Sequence, residues 1–70
     1  MTIRIALIGC GRVAQHYKKI FDSGVVSNWE FVGCFDILRS RAKDFASHFN
    51  AKSYDSFESM LIKASPDLVL

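Results

Sequence analysis

The segment from Ile3 to Tyr17, IRIALIGCGRVAQHY, decides the fold of this chain. Thr2–Ile8 is apolar apart from one charge at Arg4, which is typical of a strand buried in a parallel sheet. Two glycines interrupt this run, and apolar side chains then follow the spacing of one helix face at Val13, Ala14, Tyr17, Ile20 and Phe21. The segment therefore predicts a strand, a glycine-rich turn and a helix that stops near Gly24.

The remainder of the chain repeats this alternation. Trp29–Phe35 predicts a second strand, and the apolar spacing of residues 42–49 predicts a second helix that Asn50 caps. A short third strand is expected over residues 51–54. Strands that alternate with helices imply an α/β fold, a Rossmann-type parallel sheet with right-handed crossovers.

The third helix is predicted from a capping signal. Asp55 and Glu58 have the spacing of a capping box, and the helix should run to about Ala64 because Pro66 follows. Leu68–Leu70 then opens a fourth strand, which should lie beside the first. Since this strand barely begins, we expect residues 1–70 to be the N-terminal piece of a longer protein.

Composition excludes several classes of protein. Half of the 70 residues are hydrophobic, which argues against a disordered tail. The net charge of +2 is too small to indicate binding to nucleic acid or to anionic lipid. No apolar run approaches the roughly 20 residues of a membrane helix, and the start does not resemble a signal sequence. We therefore expect a cytoplasmic protein with no membrane or nucleic-acid partner.

The cysteines and histidines do not predict a metal or catalytic site. Cys10 and Cys34 stand alone, without the second close pair of ligands that zinc requires, and they are expected to be small buried hydrophobic residues. His16 and His48 fall on predicted helices without an evident partner, as surface histidines do. No catalytic residue is assigned within this chain.

The turn after the first strand carries the functional signal. Gly9–Ala14, GCGRVA, fits the pattern G-x-G-x-x-[G/A] between a predicted strand and a predicted helix. Gly9 would allow the tight turn, Gly11 would let a pyrophosphate approach the backbone, and Ala14 would let the helix pack closely on the strand. The helix N-terminus would hold the phosphates, with Cys10, Arg12 and Val13 in the same turn. Arg12 could equally be an ordinary exposed arginine.

An acidic residue at the end of the second strand completes this pattern. Asp36 would accept hydrogen bonds from the adenosine ribose and would repel a 2′-phosphate, which favours NAD over NADP. Arg39 and Arg41 leave NADP as a second candidate cofactor, because either side chain could pair with a 2′-phosphate. The alternative is that both side chains are solvated. Ile37 would lie against the adenine or in ordinary packing. The alternative is that the glycines only form a turn and Asp36 only caps the second helix.

Together these segments resemble the N-terminal part of the Gfo/Idh/MocA family of NAD(P)-dependent oxidoreductases. The resemblance rests on five segments: Ile3–Tyr17, Cys34–Asp36, Arg41–Ala46, Tyr54–Glu58 and Pro66–Leu70. It implies that Gly9, Gly11 and Ala14 form the phosphate-binding turn and that Asp36 binds the ribose. It also implies hydride transfer between the nicotinamide and a carbinol carbon of a sugar, polyol or sugar nucleotide, by a protein that assembles as a homo-oligomer.

The resemblance further implies that residues 1–70 are the N-terminal portion of a dinucleotide-binding domain. The rest of that domain, the family's catalytic lysine motif and a second, substrate-binding domain would follow Leu70, so these 70 residues alone should be inactive. Two other functions stay open. A non-enzymatic dinucleotide sensor or interaction protein could use the same fold, because a fold does not determine function. S-adenosylmethionine is a third ligand that a glycine-rich turn and an acid after the second strand can bind.

Overall fold

The computed structural model describes residues 2–70, apart from the side chain of Val13. Strands and helices alternate along it in this order: β1 (Ile3–Ile8), α1 (Arg12–Asp22), β2 (Trp29–Phe35), α2 (Arg39–Phe49), β3 (Lys52–Ser53), α3 (Phe57–Ala64) and β4 (Leu68–Val69). All strand pairs are parallel, and the sheet order is β3-β2-β1-β4. The predicted Rossmann-type α/β architecture is confirmed, including the position of the fourth strand beside the first. Within residues 2–70, each helix is too short or too polar to cross a membrane.

Strand β1 is the centre of the sheet. It pairs with β2 along its whole length, from Ile3 opposite Trp29 to Ile8 opposite Phe35, with a bulge between Ile5 and Ala6. Its other edge pairs with β4. Three consecutive β1 residues, Ile5, Ala6 and Leu7, are buried, because helices cover both faces of the sheet. The strands are parallel, so β1 and β2 end at the same edge.

Helices α1 and α2 cover one face with an aromatic core. Phe31 on β2 is its centre, with ring centroids 4.9 Å from Phe21, 5.1 Å from Phe45 and 4.7 Å from Phe49. The rings are tilted or edge-on to one another, which is the favourable arrangement of aromatic pairs. This packing fixes both helices relative to the end of β2.

Helix α3 covers the other face through Met60 and Ala64, which pack on Ala6. The close approach depends on Gly33 in β2. A Cβ atom at Gly33 would lie 2.8 Å from Cε2 of Tyr54 and 3.2 Å from Cγ of Met60. Glycine at this position therefore allows the side chains of Tyr54 and Met60 to lie directly against the sheet.

The start of α3 differs from the prediction. The N-cap is Ser56, whose Oγ accepts a hydrogen bond from the Ser59 N–H at 3.1 Å. Asp55 lies one residue too early for this role, and its Oδ1 is instead 3.6 Å from Nε of Arg39. The predicted capping box of Asp55 and Glu58 is therefore wrong, because the helix begins one residue later and the Ser56 hydroxyl accepts from the Ser59 N–H.

Other predicted details are mostly confirmed. The bounds of β2 are as predicted, and Asn50 ends α2 in the left-handed region with φ of 55°. Phe57 at the start of α3 is 41% exposed, because the buried side of α3 is formed by Met60 and Ala64. Ile20 is likewise exposed at the border of the α1 stripe.

The aromatic core predicts a large effect of shortening Phe45, which is 1% exposed. Phe45→Ala should lower the free energy of unfolding by about 3–5 kcal/mol, since the ring leaves a cavity among its neighbours. Ile62→Ala is the matched control, because Ile62 is helical but 77% exposed, and it should change stability by about 0.5 kcal/mol or less. Urea unfolding followed by Trp29 fluorescence measures both. Equal effects would contradict this account of the core.

Candidate functional site

The glycine-rich turn joins β1 to α1 at the carboxyl edge of the sheet. Gly9 has φ of +85°, a left-handed conformation that favours glycine, and its N–H still donates to the Phe35 carbonyl at 2.8 Å. Gly9 therefore extends the pairing with β2 by one hydrogen bond while it bends the chain toward α1. The conformational need for glycine at this position is explained by the turn alone.

Gly11 is different, because its φ of −89° is not left-handed, although its ψ of −135° lies outside the usual α and β regions. A Cβ atom at Gly11 would lie 3.2 Å from Nη1 of Arg41, which is its one tight contact. Nη1 is at the far end of a flexible side chain, so it can move away. Packing therefore does not require a glycine here. What the missing side chain provides is an open backbone surface directly before the first residue of α1.

The N-terminus of α1 is available to an anion. In the part of the chain that the structure describes, no side chain caps this helix, and its first turn contains no acidic residue. The N–H groups of Ala14 and Gln15 reach the Gly11 carbonyl at 3.1 and 3.4 Å, which closes the first turn. Ala14 is fully buried, so the helix lies close to the sheet. The positive end of the helix dipole thus opens at the turn.

Asp36 ties the turn to the segment after β2. Its Oδ2 accepts a hydrogen bond from the Cys10 N–H at 2.6 Å, and its Oδ1 accepts one from the Leu38 N–H at 2.7 Å. These two bonds, from Cys10 first and then Leu38, lower the pKa of Asp36, and the nearby charge of Arg41 acts in the same direction. Asp36 is therefore ionised at neutral pH, and helix capping alone does not account for its bond to the turn.

The structure separates the two arginines that follow Asp36. Arg39 is directed toward Asp55, with both side chains largely exposed. Arg41 instead places its guanidinium beside Gly11. Only Arg41 of this pair therefore adds a positive charge to the glycine-rich turn.

Three cavities surround the turn. One of about 200 Å³ lies between α1 and α2, and its lining includes Cys10, Gly11, Arg12, Gln15, Lys18 and Arg41. A second, of about 330 Å³, lies at the end of β1 and is lined by Leu7, Ile8, Gly9, Gly11, Arg12, Tyr17 and Leu70. A third, of about 230 Å³, is lined by Ile8, Gly9, Phe35, Asp36 and Ile37, whose side chain is 89% exposed.

The predicted site residues are thus brought together around one turn. Val13 was predicted in the same turn, and its side chain lies outside the part of the chain that the structure describes. Gln15 and Lys18 were not predicted, although they follow Arg12 at intervals of three and so share its helix face. Tyr17 was expected only as a core residue, and it also lines the second cavity.

The two cysteines are buried, as predicted, and also lie beside each other. Cys10 is 4% exposed and Cys34 is fully buried, and both thiols are free. A hydrogen bond from Cys34 lowers the pKa of the Cys10 thiol, and the same contact together with burial raises the pKa of Cys34. Sequence spacing alone did not indicate this contact, because it arises from the adjacent ends of β1 and β2.

Neither histidine contributes to the turn. His48 Nε2 lies 2.7 Å from Oδ2 of Asp22, so this pair joins the C-terminal turns of α1 and α2. His16 is exposed on α1.

The two hydrogen bonds of Asp36 predict a pH dependence. Because its folded-state pKa lies below the unfolded value of about 3.9, Asp36 contributes stability that is complete above that value. The contribution is lost as the pH falls through the folded-state pKa. Asp36→Asn should therefore be less stable than the wild type at neutral pH, and the difference should shrink toward about pH 2.

Urea unfolding across this range and an NMR titration of the Asp36 carboxyl carbon measure the effect. An Asp36 that titrates at the ordinary value of aspartate would contradict the hydrogen bonds described above.

Several solved structures share this architecture. The chain superposes on the WlbA dehydrogenase of Chromobacterium violaceum, solved with NADH and UDP-GlcNAcA, with a TM-score of 0.84 and 28% identity over 97% of this chain and 19% of that one. For myo-inositol dehydrogenase of Lactobacillus casei, solved with NAD(H) and myo-inositol, the TM-score is 0.83, with 27% identity over 99% of this chain and 21% of that one.

The WlbA dehydrogenase of Bordetella pertussis, in complex with NADH and UDP-GlcNAcA, gives a TM-score of 0.80 and 28% identity over 99% of this chain and 20% of that one. The chain therefore spans about one fifth of the length of these structures. No curated protein sequence matches it significantly. Residues 3–70 match the Gfo/Idh/MocA family, described as an oxidoreductase family with an NAD-binding Rossmann fold. The chain belongs to the Gfo/Idh/MocA oxidoreductase family.

Proposed function

We propose that residues 1–70 are the cofactor-binding portion of a longer NAD-dependent oxidoreductase. The observation that carries this proposal is the open backbone at Gly11, which packing does not explain. A pyrophosphate needs this kind of close access to the backbone at a helix N-terminus. The family membership and the relatives solved with NADH or NAD(H) support the same cofactor.

The residues present fit such a cofactor. Gly9 and Gly11, with the uncapped start of α1 and the adjacent Cys10, Val13 and Ala14, would hold the pyrophosphate, and Arg12 would add a positive charge. Asp36 is an ionised acceptor for ribose hydroxyls, and the cavity that it shares with Ile37 is apolar enough for an adenine. The nicotinamide, when bound, supplies the hydride chemistry, while this part of the protein orients the cofactor.

Asp36 favours NAD over NADP. Its carboxylate is fixed at the edge of the turn by two backbone hydrogen bonds, where it would repel a 2′-phosphate. Arg41 opposes this preference, because its guanidinium lies at the same turn and would attract a phosphate. The proposed balance is a preference for NAD that a single substitution can weaken.

We propose a sugar, polyol or sugar nucleotide as the substrate, since UDP-GlcNAcA and myo-inositol are bound in the solved relatives. The catalytic residues would then lie in the part of the protein that these 70 residues do not include. A homo-oligomer in the cytoplasm is the proposed context. The two adjacent free thiols are consistent with that compartment, which keeps cysteines reduced.

Gly11→Val tests the phosphate-binding turn. The branched side chain should lower the affinity for NADH at least tenfold in the intact protein, because it occupies the space that the pyrophosphate needs. The fold should persist, since only the movable end of Arg41 is nearby. Isothermal titration with NADH and thermal unfolding measure the two effects.

Gly24→Asn is the control for this experiment. It removes a remote glycine of positive φ and replaces it with a residue that tolerates that conformation, so NADH affinity should not change. Tight NADH binding by Gly11→Val would show that the turn does not hold the phosphates.

Asp36→Ser tests the choice between cofactors. Loss of the carboxylate should weaken NADH binding roughly tenfold, because a charged hydrogen bond to the ribose is lost, and should narrow or reverse the preference over NADPH. Adding Arg41→Ala to this variant should remove the gain for NADPH. Asp55→Ser is the charge-matched control, since Asp55 pairs with Arg39 outside the site. An unchanged NADH-to-NADPH affinity ratio in Asp36→Ser would contradict the assigned role.

A further inference from the structure

We propose that Cys10 is a site of oxidation by peroxide, and that Cys34 converts the oxidised Cys10 into a disulfide that disables the glycine-rich turn. The loss of cofactor binding in this inference rests on the proposed function. The formation of the disulfide does not. The two parts are therefore tested by separate measurements.

The topology brings the two cysteines together. Cys34 lies opposite Leu7 in the β1–β2 pair, and Cys10 follows the bend that Gly9 makes at the end of β1. The Sγ atom of Cys10 is 3.8 Å from the carbonyl oxygen of Phe35, the residue that follows Cys34. Both side chains belong to the core between the sheet and α1 and α2. Each thiol therefore has the other as its nearest possible disulfide partner in this chain.

The surroundings of the two thiols differ. They favour Cys10 as the thiol that reacts with peroxide and Cys34 as the thiol that then forms the disulfide with it. The cavity of about 200 Å³ between α1 and α2 reaches Cys10, so a molecule as small as hydrogen peroxide has access to it. Arg12, Lys18 and Arg41 line the same cavity and outnumber its one carboxylate, Asp44, and the N-terminus of α1 begins two residues after Cys10. Positive charge and a helix N-terminus both favour a thiolate, although the carboxylate of Asp36 opposes it.

Cys34 has the complementary properties. It is fully buried, and its thiol lies 3.1 Å from the Ala42 carbonyl, to which it donates. The interaction between the two neighbouring thiols lowers the pKa of Cys10 while it raises that of Cys34. Cys34 is thus placed to react second, after Cys10 has been oxidised.

The chemistry balances with peroxide as the oxidant. The Cys10 thiolate attacks one oxygen of hydrogen peroxide, the O–O bond breaks, and the products are a sulfenic acid and hydroxide, which is protonated to water. The Cys34 sulfur then attacks the sulfur of Cys10, the S–O bond breaks, and the Cys34 proton leaves with the hydroxyl as a second water. In sum, two thiols and one peroxide give one disulfide and two water molecules.

A disulfide would change the conformation of the glycine-rich turn, because Cys10 belongs to the turn and its N–H holds it to Asp36. The Cys10 N–H donates to Asp36 at 2.6 Å, and Gly11 follows it directly. An S–S bond of about 2.05 Å is shorter than any contact between two free thiols, so the two sulfur atoms must move toward each other. Cys34 is held in a central strand of the sheet, so the turn is the part that moves. We expect the oxidised protein to bind NADH at least tenfold more weakly.

The experiment treats the intact protein with hydrogen peroxide under native conditions and measures three quantities. Intact mass should fall by the mass of two hydrogen atoms, and peptide mapping without reductant should find Cys10 joined to Cys34. NADH affinity should fall with the same time course and should return after dithiothreitol. Bound NADH should slow the reaction, since it would cover the turn.

Cys34→Ala and Cys34→Ser are the test variants, and the serine keeps the hydroxyl donor toward Ala42 in case alanine weakens the core. Both should stop at an oxidised Cys10 without a disulfide. A disulfide between two chains, oxidation of Cys10 to the sulfinic acid without a Cys10–Cys34 link in the wild type, or full NADH affinity of the disulfide form would overturn the inference. If the reduced protein does not bind NADH, the proposed function fails, whereas the mass and the peptide map still decide the disulfide.

Discussion

The hydrogen bond from the Cys10 N–H to Asp36 holds the functional edge of this molecule together. The pairing of β1 with β2 ends at the Gly9 N–H. Beyond it the two backbone segments diverge, since the one after β1 turns into α1 and the one after β2 continues toward α2. The Asp36 carboxylate bridges this gap at 2.6 Å and binds the Leu38 N–H with its second oxygen. One side chain thereby sets the position of the turn, the start of α1 and the approach to α2.

This arrangement places charges of both signs at the carboxyl edge of the sheet. The uncapped end of α1 and the guanidinium of Arg41 attract anions, while Asp36 places a fixed negative charge a few residues away. A ligand that carries both an anionic group and neutral hydroxyls matches such an edge better than one that carries anionic groups throughout. The charge pattern of this edge thus follows from the order of charged groups along a few residues, and the small net charge of the chain contributes little to it.

Much of this could be predicted from the sequence, because the signals are local. The apolar run of β1, the helical stripe of α2 and the turn glycines each act within a few residues, and the corresponding elements were predicted with nearly correct bounds. The start of α3 was not, because Asp55 and Ser56 are both good capping residues and only the path of the chain selects one of them. For the same reason the sequence left Arg39 and Arg41 equivalent, and it did not reveal that Cys10 and Cys34 touch. These facts depend on distances across the sheet, which spacing along one chain does not contain.

The parallel topology also governs the order in which the protein can form. The backbone N–H of Arg4 at the start of β1 bonds to Asp67, across 63 residues, and β1 meets β4 only through residues at the other end of this chain. During synthesis at about 5–20 residues per second, the first strand therefore waits several seconds before its second edge can be paired. Its β2 edge can be covered earlier, once β2 has left the ribosome. Until β4 has also emerged, β1 is an apolar strand with one unpaired edge, which is the kind of edge that can pair with another chain.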